Sequence, residues 1–338
     1  DNSSSQVNLA MFFQAPCRFG IFCATASLGS QAVSHDRQPQ TNADRFFAIL
    51  PLASPAKRSC RIRILLVRHA ESENNVSVLK LVQAYRRGEV LHSLDGSALP
   101  KSRSSLETAI HERNIPDCLL TDKGFEQARM LGAYAQSETF KQFYMVPGSS
   151  IYMYTSPMRR TLLTAKSLAD GLGVTPQCLP SVFEKGGDKE MEYGKVCLTA
   201  AGIRKEFGFL TDLLPEHGGW YLGGEEDQLA FENRICNACQ TLTQKALEAA
   251  EAGRDANIVV VTHGIAIRQF LVQLLLAGQD PMASAGPQAQ FMGILALPSG
   301  VNTGVTVLEY RCNIDESSLM LGLCMLNSAE HLGDRVGL

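Results

Sequence analysis

Short aliphatic runs alternate with amphipathic stretches along most of the chain. Four runs have the length and β-branched composition of strands buried on both faces: residues 62–67, 151–154, 174–179 and 258–261. Between and after them, apolar residues recur at helical spacing in four stretches: residues 121–136, 157–171, 226–252 and 266–276. Strands that alternate with helices predict an α/β fold, a three-layer αβα sandwich with a mostly parallel central sheet.

Two other regions depart from this alternation. Residues 304–310 and 319–325 predict two further strands, which we expect to form an antiparallel edge. Residues 75–119 have a helical pattern through Arg87 and are then polar, with several Gly and Pro, which is too long for an ordinary connection. We therefore expect the 88–117 insertion to cover or border a functional site.

The N-terminal residues 1–60 show no sustained period and are rich in Ser, Ala, Gln and Pro, which predicts a disordered tail. Basic residues outnumber acidic ones there, which is typical of a targeting segment such as a transit peptide and equally compatible with a plain flexible extension. Because residue 1 is Asp rather than Met, we expect the natural start to lie upstream. One folded domain is predicted over residues 61–325, followed by a C-terminal tail over residues 326–338.

Composition limits the classes of protein to consider. The 338 residues are 45% hydrophobic, which allows an ordinary buried core. The 31 basic and 34 acidic residues leave a formal charge of -3, so no global positive field recruits nucleic acid or a membrane surface. No apolar run reaches the roughly 18 residues that a membrane span needs. We expect a soluble protein, cytoplasmic or, if the tail is a transit peptide, organellar.

The ten cysteines fall at irregular intervals and do not resemble the disulfide framework of a short secreted protein. Cys236 and Cys239 form a CxxC pair, but they lie inside a helical stretch without a second Cys or His pair. We therefore predict reduced thiols, and buried helix residues rather than a redox or zinc site.

Candidate chemistry follows the first aliphatic run. Arg68, His69 and Asn75 lie at the carboxyl end of a predicted strand, where open α/β sheets bind their ligands. A guanidinium group offers a rigid fork of donors for phosphate oxygens, and a neutral imidazole can attack phosphorus. An Arg-His pair alone would equally suit a surface loop.

Two other strand ends strengthen this interpretation. His263 follows the run at residues 258–261, so it meets His69 at one sheet edge if the two strands are neighbours. The run at residues 151–154 is followed by Pro157, which suits a first helical turn, and then by Arg159 and Arg160. We expect one of these arginines to face the same edge and the other to face solvent.

Together these motifs resemble those of the histidine phosphatase superfamily, branch 1, the phosphoglycerate mutase-like group. The likeness extends over about residues 62–307, and five motifs keep the family's order and spacing. The family motif Arg-His-Gly-Glu-Ser…Asn is similar to residues 68–75, Leu-Thr-x-x-Gly-x-x-Gln-Ala to residues 120–128, and Ser-Ser-Pro-Leu-x-Arg-Ala to residues 155–161. The family's Gly-Glu-Ser with a helical Arg is similar to residues 224–226 with Arg234, and its Ser-His-Gly to residues 262–264.

The resemblance implies a role for each matching residue. His69 is implied as the nucleophile that accepts a phosphoryl group, and His263 as a second catalytic residue. The groups that bind the phosphate are implied to be Arg68, Asn75, Arg160 and His263. Glu184 is implied as the proton donor to the leaving group, with Glu190 and Glu192 as rivals. No cofactor is implied, and no metal, because the two arginines would repel one.

Departures from the family pattern refine the expected activity. Ala70 replaces the family's Gly, which predicts a negative φ at this position. Gly264 stands where the acid phosphatase branch has Asp, which argues against that branch. The segment after Glu184 lacks the Tyr-Gly-Gly-Leu-x-Gly-Leu run of the mutases, which favours a phosphatase. The expected partner is a small phosphorylated substrate, with a phosphoprotein as a further possibility.

Two alternatives stay open. One is a phosphotransferase of the phosphoglycerate mutase type, which would depend on a bisphosphate primer. The other is a catalytically silent binding protein of the same fold, which would typically have lost one of the residues that carry the chemistry. All of them are present: Arg68, His69, Arg160, Glu184 and His263. The substrate itself and the oligomeric state have no signature in the sequence.

Overall fold

A computed structural model of the chain describes residues 48–51, 60–186, 197–221, 226–276, 300–313 and 318–335. The strands are Ala48–Pro51 (β1), Arg61–Arg68 (β2), Ser150–Thr155 (β3), Gln177–Cys178 (β4), Ala256–Thr262 (β5), Val305–Asn313 (β6) and Ser318–Ser328 (β7). The α-helices are Glu73–Arg86 (α1), Arg103–Glu112 (α2), Asp122–Ala135 (α3), Glu138–Tyr144 (α4), Arg159–Leu172 (α5), Ala200–Phe207 (α6), Gln228–Glu251 (α7) and Gly264–Leu276 (α8).

The strands form one sheet in the order β1-β7-β6-β2-β5-β3-β4. The four strands β2, β5, β3 and β4 are parallel to one another. β6 runs antiparallel to β2, and β7 antiparallel to β6, so β7 points the same way as the parallel group. β1 is antiparallel to β7 and closes that edge. The predicted α/β fold with a mostly parallel sheet is confirmed, as is the antiparallel pair near the end of the chain.

Both faces of the sheet are covered. All residues of β5 are buried, although successive side chains of a strand point to opposite faces. On one face, Val259 and Val261 join a core with Leu131 of α3 and Leu162 of α5. Two other helices pack against the sheet as well, α7 against β2 and β5, and α8 against β2 and β7. This is the three-layer αβα arrangement that the buried strand pattern predicts.

Three helices were not predicted: α2, α4 and α6. Each is short, and short helices depend on capping and packing more than on propensity. Ser102, Ser137 and Thr199 precede them, and each side chain accepts a hydrogen bond from a backbone N–H in the first turn. The strand predicted over residues 174–179 is also much shorter in the structure, where β4 has only the two residues Gln177–Cys178.

Regular structure extends beyond both predicted domain bounds. β1 lies within the segment predicted to be disordered, so that prediction is wrong for these four residues. β7 continues to Ser328, and a 3₁₀ segment at Glu330–Arg335 packs against α3, so the tail expected from residue 326 is largely ordered. β1 forms because its backbone pairs with β7, and such pairing leaves no periodic pattern in the sequence. Residues 1–47, with the possible targeting segment, lie outside the described residues.

Two smaller expectations concern α7 and membrane spans. Cys236 and Cys239 both lie on α7, half-buried and buried respectively, and neither forms a disulfide. The predicted position of this CxxC pair inside a helix is confirmed, and its predicted burial holds for Cys239 but not for Cys236. Among the helices in the described ranges, none combines the length and apolarity needed to span a bilayer.

Candidate active site

The carboxyl ends of β2 and β5 bring the two candidate histidines together. The strands pair in parallel with Arg68 opposite Thr262, and His69 N donates a hydrogen bond to Thr262 O at 2.9 Å. The rings of His69 and His263 meet edge to face, with centroids 5.2 Å apart. The predicted meeting of the histidines at one sheet edge is confirmed.

His69 is held as a neutral imidazole whose Nε2 lone pair accepts a hydrogen bond from Arg160. Its Nδ1 lies 2.7 Å from Ala70 O, and a carbonyl only accepts, so Nδ1 carries the hydrogen. Nε2 lies 3.3 Å from Arg160 Nε, which only donates, so Nε2 is unprotonated. Burial first, and then the charges of Arg160 and Arg68, hold the pKa of His69 well below its usual value. An unprotonated, buried Nε2 beside a guanidinium is suited to attack an anionic phosphoryl group.

Arg160, in the first turn of α5, is the arginine that faces the sheet edge. It is only 7% exposed, and besides His69 it contacts Cys118 Sγ at 3.9 Å. Arg159 turns away toward Asp117, whose carboxylate accepts from Arg159 N at 2.7 Å and lies 3.8 Å from its Nε. Arg160 thus faces the site as expected, whereas Arg159, which was expected to face solvent, is only partly exposed and pairs with Asp117.

Arg68 contributes a second guanidinium with an unused donor. Its Nη1 donates to Gly300 O, but its buried Nε has no partner among the described residues. Burial lowers the pKa of Arg68 to about 10, with Glu184 acting in the opposite direction and Arg160 in the same one. Buried N–H groups are rarely left without an acceptor, so an orphan donor marks a place where an anion would bind.

His263 has the same environment but a different set of bonds. Its Nε2 lies 2.9 Å from Ser156 Oγ, and its buried Nδ1 has no partner in the part of the chain that the structure describes. Burial first, and then Arg160 and His69, keep the pKa of His263 well below its usual value. Both orphan donors, His263 Nδ1 and Arg68 Nε, would be satisfied by oxygens of a bound phosphate if the hydrogen of His263 is on Nδ1.

Asn75 lies in the first turn of α1. Ser72 donates to its Oδ1 from both N and Oγ at 3.1 Å, which caps the helix. Its amide oxygen is thereby used, and only the NH₂ group is left to donate to a phosphate. A position of Asn75 at the edge of the phosphate pocket stays a prediction.

The loop after His69 is clamped by two helices. Ala70 N donates to Thr164 Oγ1 of α5 at 3.0 Å, and Glu71 N donates to Gln127 Oε1 of α3 at 2.8 Å. A Cβ on Gly124 would lie 1.9 Å from Glu71 O, so only glycine allows α3 to approach this closely. These contacts explain the Gly and the Gln of the Leu-Thr-x-x-Gly-x-x-Gln-Ala motif physically. Ala70 is not among the described residues with positive φ, as its replacement of Gly predicts.

Glu184 follows the 3₁₀ turn Pro180–Val182 and reaches the start of α8. Its Oε2 accepts from Ile265 N at 3.4 Å, two residues after His263, and its Oε1 accepts from Lys185 N at 3.0 Å. The half-buried carboxylate also raises the pKa of Arg68, so it lies beside the cationic pocket. Its rivals Glu190 and Glu192 lie outside the described residues, and the assignment of the proton donor stays a prediction.

Sequence reasoning missed a third support for the strand end of β2. Thr303, with a φ of 61°, donates from its N to Arg68 O at 3.1 Å, and Arg68 N donates to Gly304 O at 3.1 Å. The hydroxyl of Thr303 in turn contacts His331 Nε2 at 2.7 Å. Backbone acceptors and a left-handed Thr leave no pattern in a sequence, and no signal available there could have found them.

Within the described ranges, no group of three or more His, Cys, Asp or Glu side chains is arranged to hold a metal ion. The cluster built around His69 is dominated instead by guanidinium and imidazole groups, which are the chemistry of a phosphate site.

The chain is similar to several solved structures, among them a phosphatase, a mutase and a hydrolase. A mycobacterial glucosyl-3-phosphoglycerate phosphatase is 17% identical, covers 80% of this chain and 100% of its own, and has a TM-score of 0.42. A phosphoglycerate mutase from Bacillus anthracis is 13% identical, covers 81% and 96%, and has a TM-score of 0.42. A mycobacterial hydrolase is 16% identical, covers 79% and 98%, and has a TM-score of 0.43. No curated protein gives a significant match to the sequence.

A family comparison covers more than half of the chain. The sequence model of the histidine phosphatase superfamily (branch 1) matches residues 107–289, a range that includes Arg160, Glu184 and His263. The match begins after Arg68 and His69, which the pairing of β2 with β5 brings into the same site. The chain belongs to the histidine phosphatase superfamily, branch 1.

Proposed function

We propose that the protein hydrolyses a phosphomonoester through a phosphohistidine on Nε2 of His69. One observation carries the proposal: the Nε2 of a buried, neutral His69 lies beside the guanidinium of Arg160 and close to Arg68 and His263. Such an arrangement stabilises the charge of a transferring phosphoryl group once Arg160 exchanges its hydrogen bond to His69 for one to a phosphoryl oxygen.

The first half-reaction transfers the phosphoryl group to the protein. Arg68, Arg160 and His263 bind the phosphoryl oxygens, and His69 Nε2 attacks phosphorus in line with the leaving oxygen. The P–O bond to the leaving group breaks as the N–P bond forms, and Glu184 supplies the proton that the leaving alkoxide needs. The product alcohol departs, and phospho-His69 and an ionised Glu184 remain.

The second half-reaction releases phosphate. Water attacks phospho-His69 while the carboxylate of Glu184 accepts one of its protons, so that Glu184 is again protonated and His69 Nε2 regains its lone pair. The cationic groups stay in place throughout. We favour water over a second substrate as the acceptor because the mutases' lid sequence is missing after Glu184.

Phosphate release from a panel of phosphomonoesters tests the proposal. The wild-type protein and His69→Ala are compared with and without chelator, and with and without 2,3-bisphosphoglycerate. Release that depends on His69 and ignores both additions supports a phosphatase that needs neither metal nor primer. Isomerisation of phosphoglycerate that requires the primer, without net release, would make the protein a mutase. Silence in both assays would favour a binding protein.

A further inference from the structure

Arg234 of α7 makes an unusually complete set of contacts beside the proposed active site. One edge of its guanidinium pairs with Glu226 through two hydrogen bonds, Nε to Oε1 and Nη2 to Oε2, each at 2.7 Å. Its Nη1 donates to Ser181 O and Phe183 O, both at 2.9 Å, and its Nη2 donates to Glu184 O at 3.3 Å. All five N–H donors of the guanidinium are therefore used.

The contacts of Arg234 converge on the loop that carries Glu184. The guanidinium also stacks on the ring of Phe183, with its carbon 3.4 Å from the ring centroid. The pair is largely removed from water, with Arg234 13% and Glu226 8% exposed. A buried guanidinium without its carboxylate would be strongly unfavourable, so Glu226 keeps Arg234 in place while Arg234 keeps the loop in place.

The same loop is also held by the strand that precedes His263. Thr262 Oγ1, at the end of β5, donates to Val182 O at 2.6 Å. Four consecutive carbonyls, from Ser181 to Glu184, thus accept hydrogen bonds from side chains. The backbone that leads to Glu184 is fixed relative to both α7 and the catalytic end of the sheet.

We propose that Arg234, paired with Glu226, is a positioning residue that sets the location of the proton donor Glu184 through the backbone of residues 181–184. Arg234 does not touch the reacting atoms; it acts through Glu184. This role rests on the proposed function, in which Glu184 protonates the leaving group. A lysine at this position keeps a charge for Glu226 but lacks the fork that reaches three carbonyls.

Leaving-group dependence separates this role from a merely structural one. The nitrophenolate of a nitrophenyl phosphate can leave without a proton, whereas the alkoxide of an alkyl phosphate needs one from the protein. We expect Glu184→Gln to lower kcat/KM for alkyl esters by about 100-fold and to change it only about twofold for the nitrophenyl ester. Arg234→Lys should show the same selectivity at a reduced size, about tenfold for alkyl esters and under about twofold for the nitrophenyl ester.

Arg63→Lys provides the matched control. Arg63 also pairs with a buried carboxylate, Glu309 at 2.8 Å, and donates to two carbonyls, Phe143 O and Met145 O. It lies six residues before His69 on β2, about 20 Å away along the strand. We expect Arg63→Lys to lower thermal stability to a similar degree as Arg234→Lys and to leave the leaving-group dependence unchanged.

A second variant keeps the test decisive if Arg234→Lys does not fold. Thr262→Val preserves shape and removes only the bond to Val182 O, and we expect it to affect alkyl esters more than the nitrophenyl ester as well. Equal losses for all esters in Arg234→Lys and Thr262→Val, or no loss in either, would overturn the positioning role while wild-type activity still depends on His69. Wild-type release that is insensitive to His69→Ala would instead overturn the proposed function, and the positioning role with it.

Discussion

The ends of β2 and β5 carry equivalent histidines that are held in different ways. Both His69 and His263 are buried among the same arginines, and the pKa of each is held well below its usual value. Both ring nitrogens of His69 have a partner, Ala70 O and Arg160 Nε, whereas His263 has only Ser156 and an orphan Nδ1 among the described residues. A reacting atom needs one tautomer and one orientation, whereas a phosphate-binding group needs a spare donor.

The two strand ends also differ in the residues that hold their backbone in place. The end of β2 is clamped from three directions, by Gln127 of α3, Thr164 of α5 and Thr303 of the C-terminal segment. The end of β5 continues directly into α8, where Ile267 N donates to His263 O at 2.9 Å. At the β2 end, side chains from α3 and α5 thus bond the backbone immediately after the proposed nucleophile, as positioning of a reacting group requires.

Replacement of the nucleophile should have the largest effect. His69→Asn removes the atom that attacks phosphorus, and we expect phosphate release to fall by about 10⁴-fold or more. Steady-state phosphate release with an aryl phosphate measures this, and circular dichroism checks that the variant is folded. A residual rate within tenfold of wild type would contradict the assignment of His69.

Replacement of His263 should have a smaller effect, because it removes one stabilising contact and leaves the nucleophile. We expect His263→Asn to lower kcat/KM by about 10²-fold, the range found for the loss of one donor to a developing charge. The phosphoenzyme should still form on His69 in this variant, as burst kinetics would show. Losses as large as those of His69→Asn would remove the distinction between the two histidines.

The pH dependence of stability should report both histidines, together with His331, whose pKa burial lowers to about 4 and whose contribution should remain when the other two are replaced. Each is neutral in the folded protein, with a pKa below the unfolded value of about 6.5. The unfolded chain therefore binds more protons at acid pH, and stability present above pH 6.5 is lost as pH falls toward the folded-state pKa. We expect urea titrations to show a loss of up to about 1.4 kcal/mol per pH unit for each such histidine. A matching loss in the double variant His69→Asn/His263→Asn would contradict this origin.

Thr164→Val should give the smallest change and affects only the β2 end. The substitution preserves shape but removes the bond from Ala70 N and the bond to Arg160 O. We expect a loss of about 1 kcal/mol in the free energy of unfolding, by chemical denaturation, and a few-fold loss in kcat. Thr161→Val, one turn earlier on α5 and bonded only to backbone oxygens of Ser156 and Met158, is the control and should alter stability more than kcat.

Much of the fold and the centre of the site could be predicted from the sequence. The continuous aliphatic runs of β2 and β5 have few competing interpretations, and histidines at both ends point to one sheet edge. The short helices α2, α4 and α6 were not predicted, because they are stabilised largely by capping and are too short to show a clear periodic pattern. The contacts that hold Arg68 in place were not predicted either. They involve Gly300 O and the backbone of the left-handed Thr303, and backbone acceptors are the same in every residue type.

The position of the phosphate in a trapped intermediate tests the central claim most directly. A nitrophenyl phosphate should make formation of the intermediate fast, so that acid-labile, base-stable phosphoprotein accumulates and can be quenched within milliseconds. Peptide mapping and nitrogen-phosphorus couplings measured by NMR then locate the phosphate. The arrangement of His69 predicts a single phosphate on its Nε2, because Nδ1 carries the hydrogen that is donated to Ala70 O. Phosphate on His69 Nδ1, on His263 or on any other side chain would contradict it.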